Sequence, residues 1–122
     1  MAINKVLVVD DSAPELSNIK KIIGDMGCIV ISASNGIQAV ELARRERPDL
    51  IFMDIIMPEM DGYEATRKLS NDPDVRNIPI IFVSSKGQKA DKLWGQMQGG
   101  KGYITKPYKP EEIMNQIRIF NR

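Results

Sequence analysis

The sequence predicts a doubly wound α/β fold, in which helices cover both faces of a parallel β-sheet. Two observations support this prediction. Five short, almost uninterrupted apolar runs rich in Ile and Val are typical of strands that are buried on both faces of a parallel sheet. The stretches that follow them have the length and apolar periodicity of amphipathic helices, so strand and helix alternate through the chain with right-handed crossovers.

The boundaries of the elements follow from these runs and from the residues that interrupt them. Strands are predicted at residues 5–10 (KVLVVD), 28–33 (CIVISA), 50–54 (LIFMD), 78–85 (IPIIFVSS) and 102–106 (GYITK). Helices are predicted at residues 13–27, 36–46, 62–71, 88–98 and 110–121. Pro48 and Pro79 each stand just before a strand, and Gly99 and Gly100 separate the fourth helix from the fifth strand.

The first helix has a clear start signal. Ser12-Ala13-Pro14-Glu15 has the pattern of a capping box with proline in the first turn, in which the Ser12 and Glu15 side chains would each bind the other's backbone N–H. Apolar residues follow at helical spacing, namely Leu16, Ile19, Ile22, Ile23 and Met26. The helix is therefore predicted to begin directly after Asp11.

The fourth helix is predicted to be weak. In QKADKLWGQMQGG, the residues Ala90, Leu93, Trp94 and Met97 form one apolar stripe, but Gly95 in the helix interior costs about 1 kcal/mol relative to alanine. Trp94 has two interpretations: it packs on the edge of the sheet, or part of it is an anchor for a partner protein.

Composition excludes several classes of function. With 17 Lys and Arg against 16 Asp and Glu, the net charge is +1, which offers no basic surface for nucleic acid or an acidic membrane. The sequence has no apolar run of membrane-spanning length, and because its N-terminus leads directly into a predicted strand without a basic region and cleavage site, we expect no signal peptide. We therefore expect residues 1–122 to form a single domain, monomeric and cytoplasmic.

Cysteine and histidine usage narrows the chemistry further. The single cysteine, Cys28, cannot form an intrachain disulfide, and we expect it to be a buried strand residue. The absence of histidine excludes Ser-His-Asp and Cys-His catalytic systems and the usual zinc sites. Any bound metal would have oxygen ligands, which favours a hard cation such as Mg²⁺.

Polar side chains end four of the predicted strands. Asp10 and Asp11 end the first strand, Asp54 the third, Ser84 the fourth and Lys106 the fifth. Because ligands of open α/β sheets bind outside the carboxyl ends of the strands, we expect these side chains to form one site.

This set of groups suits phosphoryl transfer to an aspartate. Three neighbouring carboxylates raise one another's pKa, and a divalent cation relieves the repulsion. A metal beside a carboxylate, a hydroxyl and an ammonium can stabilise a transferred phosphoryl group. Asp54 is the best nucleophile because it stands alone at the end of a central strand, whereas the adjacent Asp10 and Asp11 are better placed as metal ligands.

At this point the chain resembles the receiver domains of two-component response regulators. The segments that carry the resemblance are VLVVDDS, PDLIFMDIIMPEMDGYEATRKL, IPIIFVSS and GYITKPY, in this order. The resemblance implies a flavodoxin-like fold with strand order 2-1-3-4-5. It also implies that Asp54 accepts a phosphoryl group from a sensor histidine kinase or its histidine phosphotransfer domain, with Mg²⁺ as cofactor. The histidine would be supplied in trans, since this chain has none.

The resemblance assigns roles to individual residues. Asp11, Asp54 and the backbone carbonyl of Ile56 would bind Mg²⁺ directly, and Asp10 would act mainly through a bound water. Ile56 and Lys86 stand at positions that tune the lifetime of the aspartyl phosphate in this family. Because Ile56 cannot orient a water molecule, we expect slow autodephosphorylation and no other enzymatic activity.

Ser84 and Lys106 would stabilise the phosphoryl group, and the resemblance implies a cis bond between Lys106 and Pro107. Tyr103 occupies the family's switch position. Phosphorylation would draw Ser84 inward and let the Tyr103 ring rotate into the vacated space, which changes the face made by the fourth helix, fifth strand and fifth helix. The alternative is that Tyr103 is an ordinary half-buried strand residue.

The segment DKLWGQMQG further resembles stand-alone receivers of the pilus chemosensory pathway that controls twitching motility. The output would then be a phosphorylation-dependent contact with a protein, with the pilus motor machinery as a candidate. A phosphorelay intermediate or phosphate sink is the alternative within the same fold. An aspartyl-phosphate phosphatase of the haloacid dehalogenase type is an alternative of another class, but the D-x-D element on strand one and the cap insertion that such enzymes normally carry are missing.

Overall fold

The computed structural model describes residues 2–121 and contains the predicted alternation of strands and helices. The strands are β1 (Lys5–Val9), β2 (Ile29–Ala33), β3 (Leu50–Met53), β4 (Ile80–Ser84) and β5 (Gly102–Thr105). The helices are α1 (Ala13–Asp25), α2 (Gly36–Glu46), α3 (Gly62–Ser70), α4 (Lys89–Met97) and α5 (Pro110–Phe120). Within residues 2–121, no helix has the length and apolar character that crossing a membrane requires.

The strands form one parallel sheet in the order β2-β1-β3-β4-β5, which is the expected order. Strands β3 and β4 are buried throughout, and β1 nearly so, whereas the edge strands β2 and β5 are partly exposed. The chain leaves β1 in one direction to form β2 and returns on the other side to form β3. The carboxyl ends of β1 and β3 therefore flank the switch point of the sheet, where such folds bind ligands.

Alternate residues of each strand enter two separate apolar layers, because successive side chains of a strand point to opposite faces. Leu7 and Val9 belong to the layer beneath α2 and α3, while Val6 and Val8 belong to the layer beneath α1 and α5. Both faces of the central strands are thus covered, which explains why their sequences are continuously apolar.

The predicted capping box of α1 is wrong. Ser12 is the N-cap residue, but its side chain makes no capping hydrogen bond. The Ser12 backbone N–H donates instead to Asp10 Oδ1 at 2.9 Å. The acceptor that Glu15 would have supplied is therefore replaced by the carboxylate of the preceding strand end, and Glu15 is available for another contact.

Cys28 also departs from the prediction. It lies one residue before β2 and is half-buried rather than buried within the strand. Its thiol donates a hydrogen bond to the Ile3 carbonyl at 3.5 Å. Burial, followed by the Asp49 charge, raises the Cys28 pKa, which keeps the thiol protonated at neutral pH.

The apolar stripe of α4 is present, but it faces the solvent. Leu93, Trp94 and Met97 are exposed, while Gly95 is the residue of α4 that is buried against the sheet. The Trp94 side chain is 47% exposed and meets Tyr63 of α3 edge to face, with ring centroids 6.4 Å apart. The ring contact of Trp94 is therefore with α3, and about half of its side chain is exposed to solvent.

Gly95 lets α4 approach the Phe82 ring closely. A Cβ atom at position 95 would lie 2.9 Å from Cδ2 of Phe82, which is fully buried in β4. Gly95 thus has a packing role in addition to its cost in helix propensity.

Exchange of this glycine should test the packing. We expect Gly95→Ala to lower the free energy of unfolding by about 1–3 kcal/mol, because overpacking at Phe82 outweighs the gain in helix propensity. Gly24→Ala in α1 is the matched control, since nothing lies within 4 Å of a Cβ atom there. It should leave stability unchanged or raise it by up to about 1 kcal/mol.

Urea denaturation of both variants provides the measurement. Phe82→Leu should cost less stability in the Gly95→Ala background than in wild type, since it removes the atoms that the new methyl group meets. Equal stability of Gly95→Ala and Gly24→Ala would contradict this account of the α4 contact.

Candidate functional site

Asp10, Asp11 and Asp54 converge at the switch point of the sheet, as predicted. The pairing of Val9 with Met53 aligns the ends of β1 and β3, and the Asp54 N–H donates to the Val9 carbonyl at 2.9 Å. One carboxylate oxygen from each aspartate lies within 4.8 Å of the others. Asp10 and Asp54 are 3% and 7% exposed, whereas Asp11 is exposed.

Lys106 extends from the end of β5 into the same site. Its Nζ lies 2.9 Å from Asp10 Oδ2 and 3.8 Å from Asp54 Oδ2. The Lys106 N–H donates to the Ser84 carbonyl at 2.8 Å, which ties the ends of β4 and β5 together. The bond between Lys106 and Pro107 is cis, as expected.

The surroundings of Asp54 raise the pKa of its carboxyl group. Burial, and then the Asp10 charge, raise the pKa of Asp54 to about 6, and the attraction of Lys106 offsets only part of this rise. Burial lowers the pKa of Lys106, but its hydrogen bond to Asp10 and the charge of Asp54 outweigh burial, so the net shift is upward. Lys106 therefore stays charged while the acids remain incompletely neutralised.

The backbone around Asp54 fixes the direction of its carboxylate. Asp54 Oδ1 accepts a hydrogen bond from the Ile55 N–H at 2.8 Å, and the Ile55 carbonyl accepts one from the Gly62 N–H at 2.8 Å. A Cβ atom at position 62 would lie 2.0 Å from the Asp54 carbonyl oxygen. Glycine is therefore required where α3 begins, because any side chain would push the helix away from the site.

Ser84 and Tyr103 are placed close to each other. Ser84 is fully buried, and its hydroxyl accepts a hydrogen bond from the Lys86 N–H at 3.3 Å. The Tyr103 hydroxyl donates to the Lys86 carbonyl, and its ring lies against Phe82 with centroids 6.0 Å apart. Burial raises the Tyr103 pKa, followed by the neighbouring Tyr63, while the nearby Ser84 hydroxyl opposes the rise. The ring thus already lies beside Ser84.

Ile56 and Lys86 flank the site on the side of α3. Both line a shallow cleft of about 380 Å³, together with Ile55, Met57, Asp61 and Tyr63. The Ile56 side chain is 54% exposed. These two positions therefore share one cleft beside the end of β3.

Glu15 is the site residue that the sequence analysis missed. Its Oε2 lies 3.4 Å from Lys106 Nζ, so the glutamate is a further carboxylate at the pocket. The pattern of a capping box obscured this role. A signal was present, since Glu15 lies in the first turn of the helix that begins directly after Asp11, and so at the same end of the sheet.

The donor set fits Mg²⁺. Mg²⁺ is bound through one or two carboxylates and retained waters, and Asp10, Asp11 and Asp54 offer hard oxygen ligands with room for water at the exposed Asp11. The raised pKa of Asp54 has the same implication: burial is its largest cause, and the Asp10 charge adds more than the Lys106 charge removes.

Comparison with known proteins agrees with this site. The family model for the response regulator receiver domain matches residues 6–118. The chain is 42% identical to the protein PilH of Pseudomonas aeruginosa over 93% of both chains, and 35% identical to PilG of the same organism over 93% of this chain and 84% of PilG. These similarities confirm the resemblance to pilus-type receivers.

A solved structure of similar fold is the receiver domain of a sensor histidine kinase from Pseudomonas aeruginosa PAO1, described with a magnesium ion coordinated in its active-site cleft. It is 31% identical, with a TM-score of 0.89 and coverage of 98% of both chains. The match to the family model spans nearly all of the described residues and includes the three aspartates, Ser84 and Lys106. The chain therefore belongs to the response regulator receiver domain family.

Proposed function

We propose that Asp54 accepts a phosphoryl group from a histidine of a partner kinase or phosphotransfer domain. The observation that supports this most directly is the position of the Asp54 carboxylate, held in one direction by the Ile55 N–H and 3.8 Å from the Lys106 ammonium. A carboxylate oxygen of Asp54 attacks phosphorus, and the P–N bond of the phosphohistidine breaks. The imidazole nitrogen leaves with the electron pair and takes up a proton, while Asp54 becomes an acyl phosphate.

The other site residues bind and orient the transferred group. Asp11, Asp54 and the Ile56 carbonyl would hold Mg²⁺, with Asp10 acting through a water, and the bound ion would neutralise charge on the phosphoryl oxygens. The Lys106 ammonium pairs with one of these oxygens, and the Ser84 hydroxyl donates a hydrogen bond to another.

The output is a contact with a protein through the face made by α4, β5 and α5. The exposed Leu93, Trp94 and Met97 support this, because a cluster of large apolar side chains on one helix is typical of an interaction site. Tyr103 already lies beside Ser84, so phosphorylation would stabilise an arrangement that is accessible beforehand and shift its population. The similarity to PilH supports a role in twitching motility. We place the phosphoryl transfer in the cytoplasm as part of this proposal.

Phosphorylation should be measurable with a small phosphodonor. With Mg²⁺ and acetyl phosphate, intact mass spectrometry should detect one added phosphoryl group per chain, and Asp54→Asn should remove it. Chelation of Mg²⁺ should also abolish labelling, because the ion balances charge on the phosphoryl oxygens.

Asp49→Asn serves as the control for this experiment, since Asp49 lies at the opposite end of the sheet, bonded to the backbone of Asn4 and Lys5. It should label as the wild type does. Labelling that persists in Asp54→Asn would refute the assignment of the acceptor. Sustained release of phosphate over many turnovers would instead favour a phosphatase.

The metal-free domain should lose stability as pH rises through about 6, relative to Asp54→Asn. The folded-state pKa of Asp54 is raised from 3.8 to about 6, so the protonated carboxyl favours the folded state, and this contribution is lost above the folded pKa. We expect the free energy of unfolding of wild type relative to Asp54→Asn to fall by up to about 2 kcal/mol between about pH 4 and pH 7.

Urea denaturation in the presence of a chelator provides this measurement. Wild type and Asp54→Asn should converge in stability when Mg²⁺ is added at neutral pH, because the ion offsets the same repulsion. If the free energies of unfolding of the two metal-free proteins changed in parallel with pH, protonation of Asp54 would make no contribution to stability.

Ile56 should limit the rate at which phosphate is lost. Ile56→Asn supplies an amide that can orient an attacking water, so autodephosphorylation should become faster. Ile56→Val keeps the position apolar and should leave the rate unchanged. An unchanged or slower rate in Ile56→Asn, measured by phosphate release from purified phosphoprotein, would count against this explanation of a long lifetime.

A further inference from the structure

Glu15 lies at the exposed edge of the site formed by Asp10, Asp11, Asp54 and Lys106. Its Oε2 is 3.4 Å from Lys106 Nζ, and the two side chains are 42% and 18% exposed. Both residues line a surface cleft of about 150 Å³ together with Asn18, Pro107 and Tyr108. The contact therefore joins the first turn of α1 to the segment that follows β5.

A second contact fixes this geometry. Asn18 Nδ2 donates to the Tyr108 hydroxyl at 3.0 Å, one turn further along α1. Since Asp10 already accepts the Ser12 N–H, Glu15 is not required to cap α1. Glu15 and Asn18, on successive turns of α1, thus hold the helix against the segment around Lys106, and Glu15 is the charged one of the two.

The Lys106 ammonium is shared among three carboxylates. Its distances are 2.9 Å to Asp10, 3.4 Å to Glu15 and 3.8 Å to Asp54. Only the contact with Asp10 is a hydrogen bond, whereas Glu15 and Asp54 attract the ammonium as ion pairs. To pair with the Lys106 ammonium, a phosphoryl group on Asp54 must compete with the carboxylates that already contact it.

We infer that Glu15 is a positioning residue that restrains Lys106 and thereby opposes phosphorylation of Asp54. The inference rests on the proposed phosphoryl acceptance. Mg²⁺ would engage Asp10 and Asp54, which leaves Glu15 as the carboxylate that still competes with the phosphoryl oxygens for the ammonium.

Variants at position 15 separate contact from charge. Glu15→Gln removes the charge with little change in shape, and Glu15→Asp keeps the charge but withdraws it by one methylene from Lys106. Glu111→Gln is the matched control, because Glu111 is an exposed glutamate in the first turn of α5 that pairs with Arg118.

Affinity for beryllium trifluoride, a noncovalent phosphoryl mimic, provides the first readout. In saturating Mg²⁺, calorimetry should find that Glu15→Gln binds the mimic about two- to fivefold more tightly than wild type, the range expected for a partly exposed ion pair. Glu15→Asp should behave like Glu15→Gln, and Glu111→Gln like wild type. The initial rate of labelling by acetyl phosphate should rise in the same order.

Hydrogen exchange of the Lys106 ammonium, followed by NMR in the metal-free protein, provides a readout that needs no phosphoryl chemistry. Loss of the Glu15 contact should accelerate this exchange in Glu15→Gln and in Glu15→Asp. Wild-type exchange and affinity in Glu15→Gln would overturn the inference. Wild-type behaviour of Glu15→Asp would overturn it too, because charge at a distance would then suffice.

A different set of results is expected if Asp54 does not accept a phosphoryl group. In that case, wild type and variants alike would neither bind the mimic nor become labelled. The ammonium exchange would still decide whether Glu15 restrains Lys106.

Discussion

Mutual repulsion of three carboxylates at the ends of β1 and β3 is the constraint to which the surrounding structure responds. Asp10 is bound by the Ser12 N–H and the Lys106 ammonium, and Asp54 by the Ile55 N–H. These bonds hold the acids in place, but burial and the Asp10 charge still raise the pKa of Asp54. The site is thereby suited to a divalent cation and, in the function proposed above, to a phosphoryl group.

The parallel sheet makes this concentration of charge possible. Its switch point opens between β1 and β3, and the pairing of Val9 with Met53 brings Asp10 and Asp54 side by side. Gly62 then allows α3 to begin against the Asp54 carbonyl without a steric clash. The strand register and the absence of a side chain at Gly62 therefore hold the Asp54 carboxylate close to acids that repel it.

The sequence predicted the residues whose position depends on the ends of the strands, since parallel strands bring their carboxyl ends to one edge whatever the loops do. It could not predict contacts decided by competition in three dimensions. Ser12 and Glu15 have the pattern of a capping box, but Asp10 takes the N–H on which that box depends. The apolar stripe that includes Trp94 has the same spacing whether it faces the core or the solvent, and its direction is set by the approach of Gly95 to Phe82.

The close approach of Gly95 to Phe82 separates two roles of a surface helix, which are packing against the core and presenting side chains to the solvent. The buried contact of α4 is made by a residue without a side chain, while Leu93, Trp94 and Met97 lie in the solvent. Substitutions at these outer positions leave the contact with Phe82 intact. The outer surface that we propose for a partner protein can therefore change without a compensating change in the core, so that related proteins can diverge in specificity while they keep the same fold.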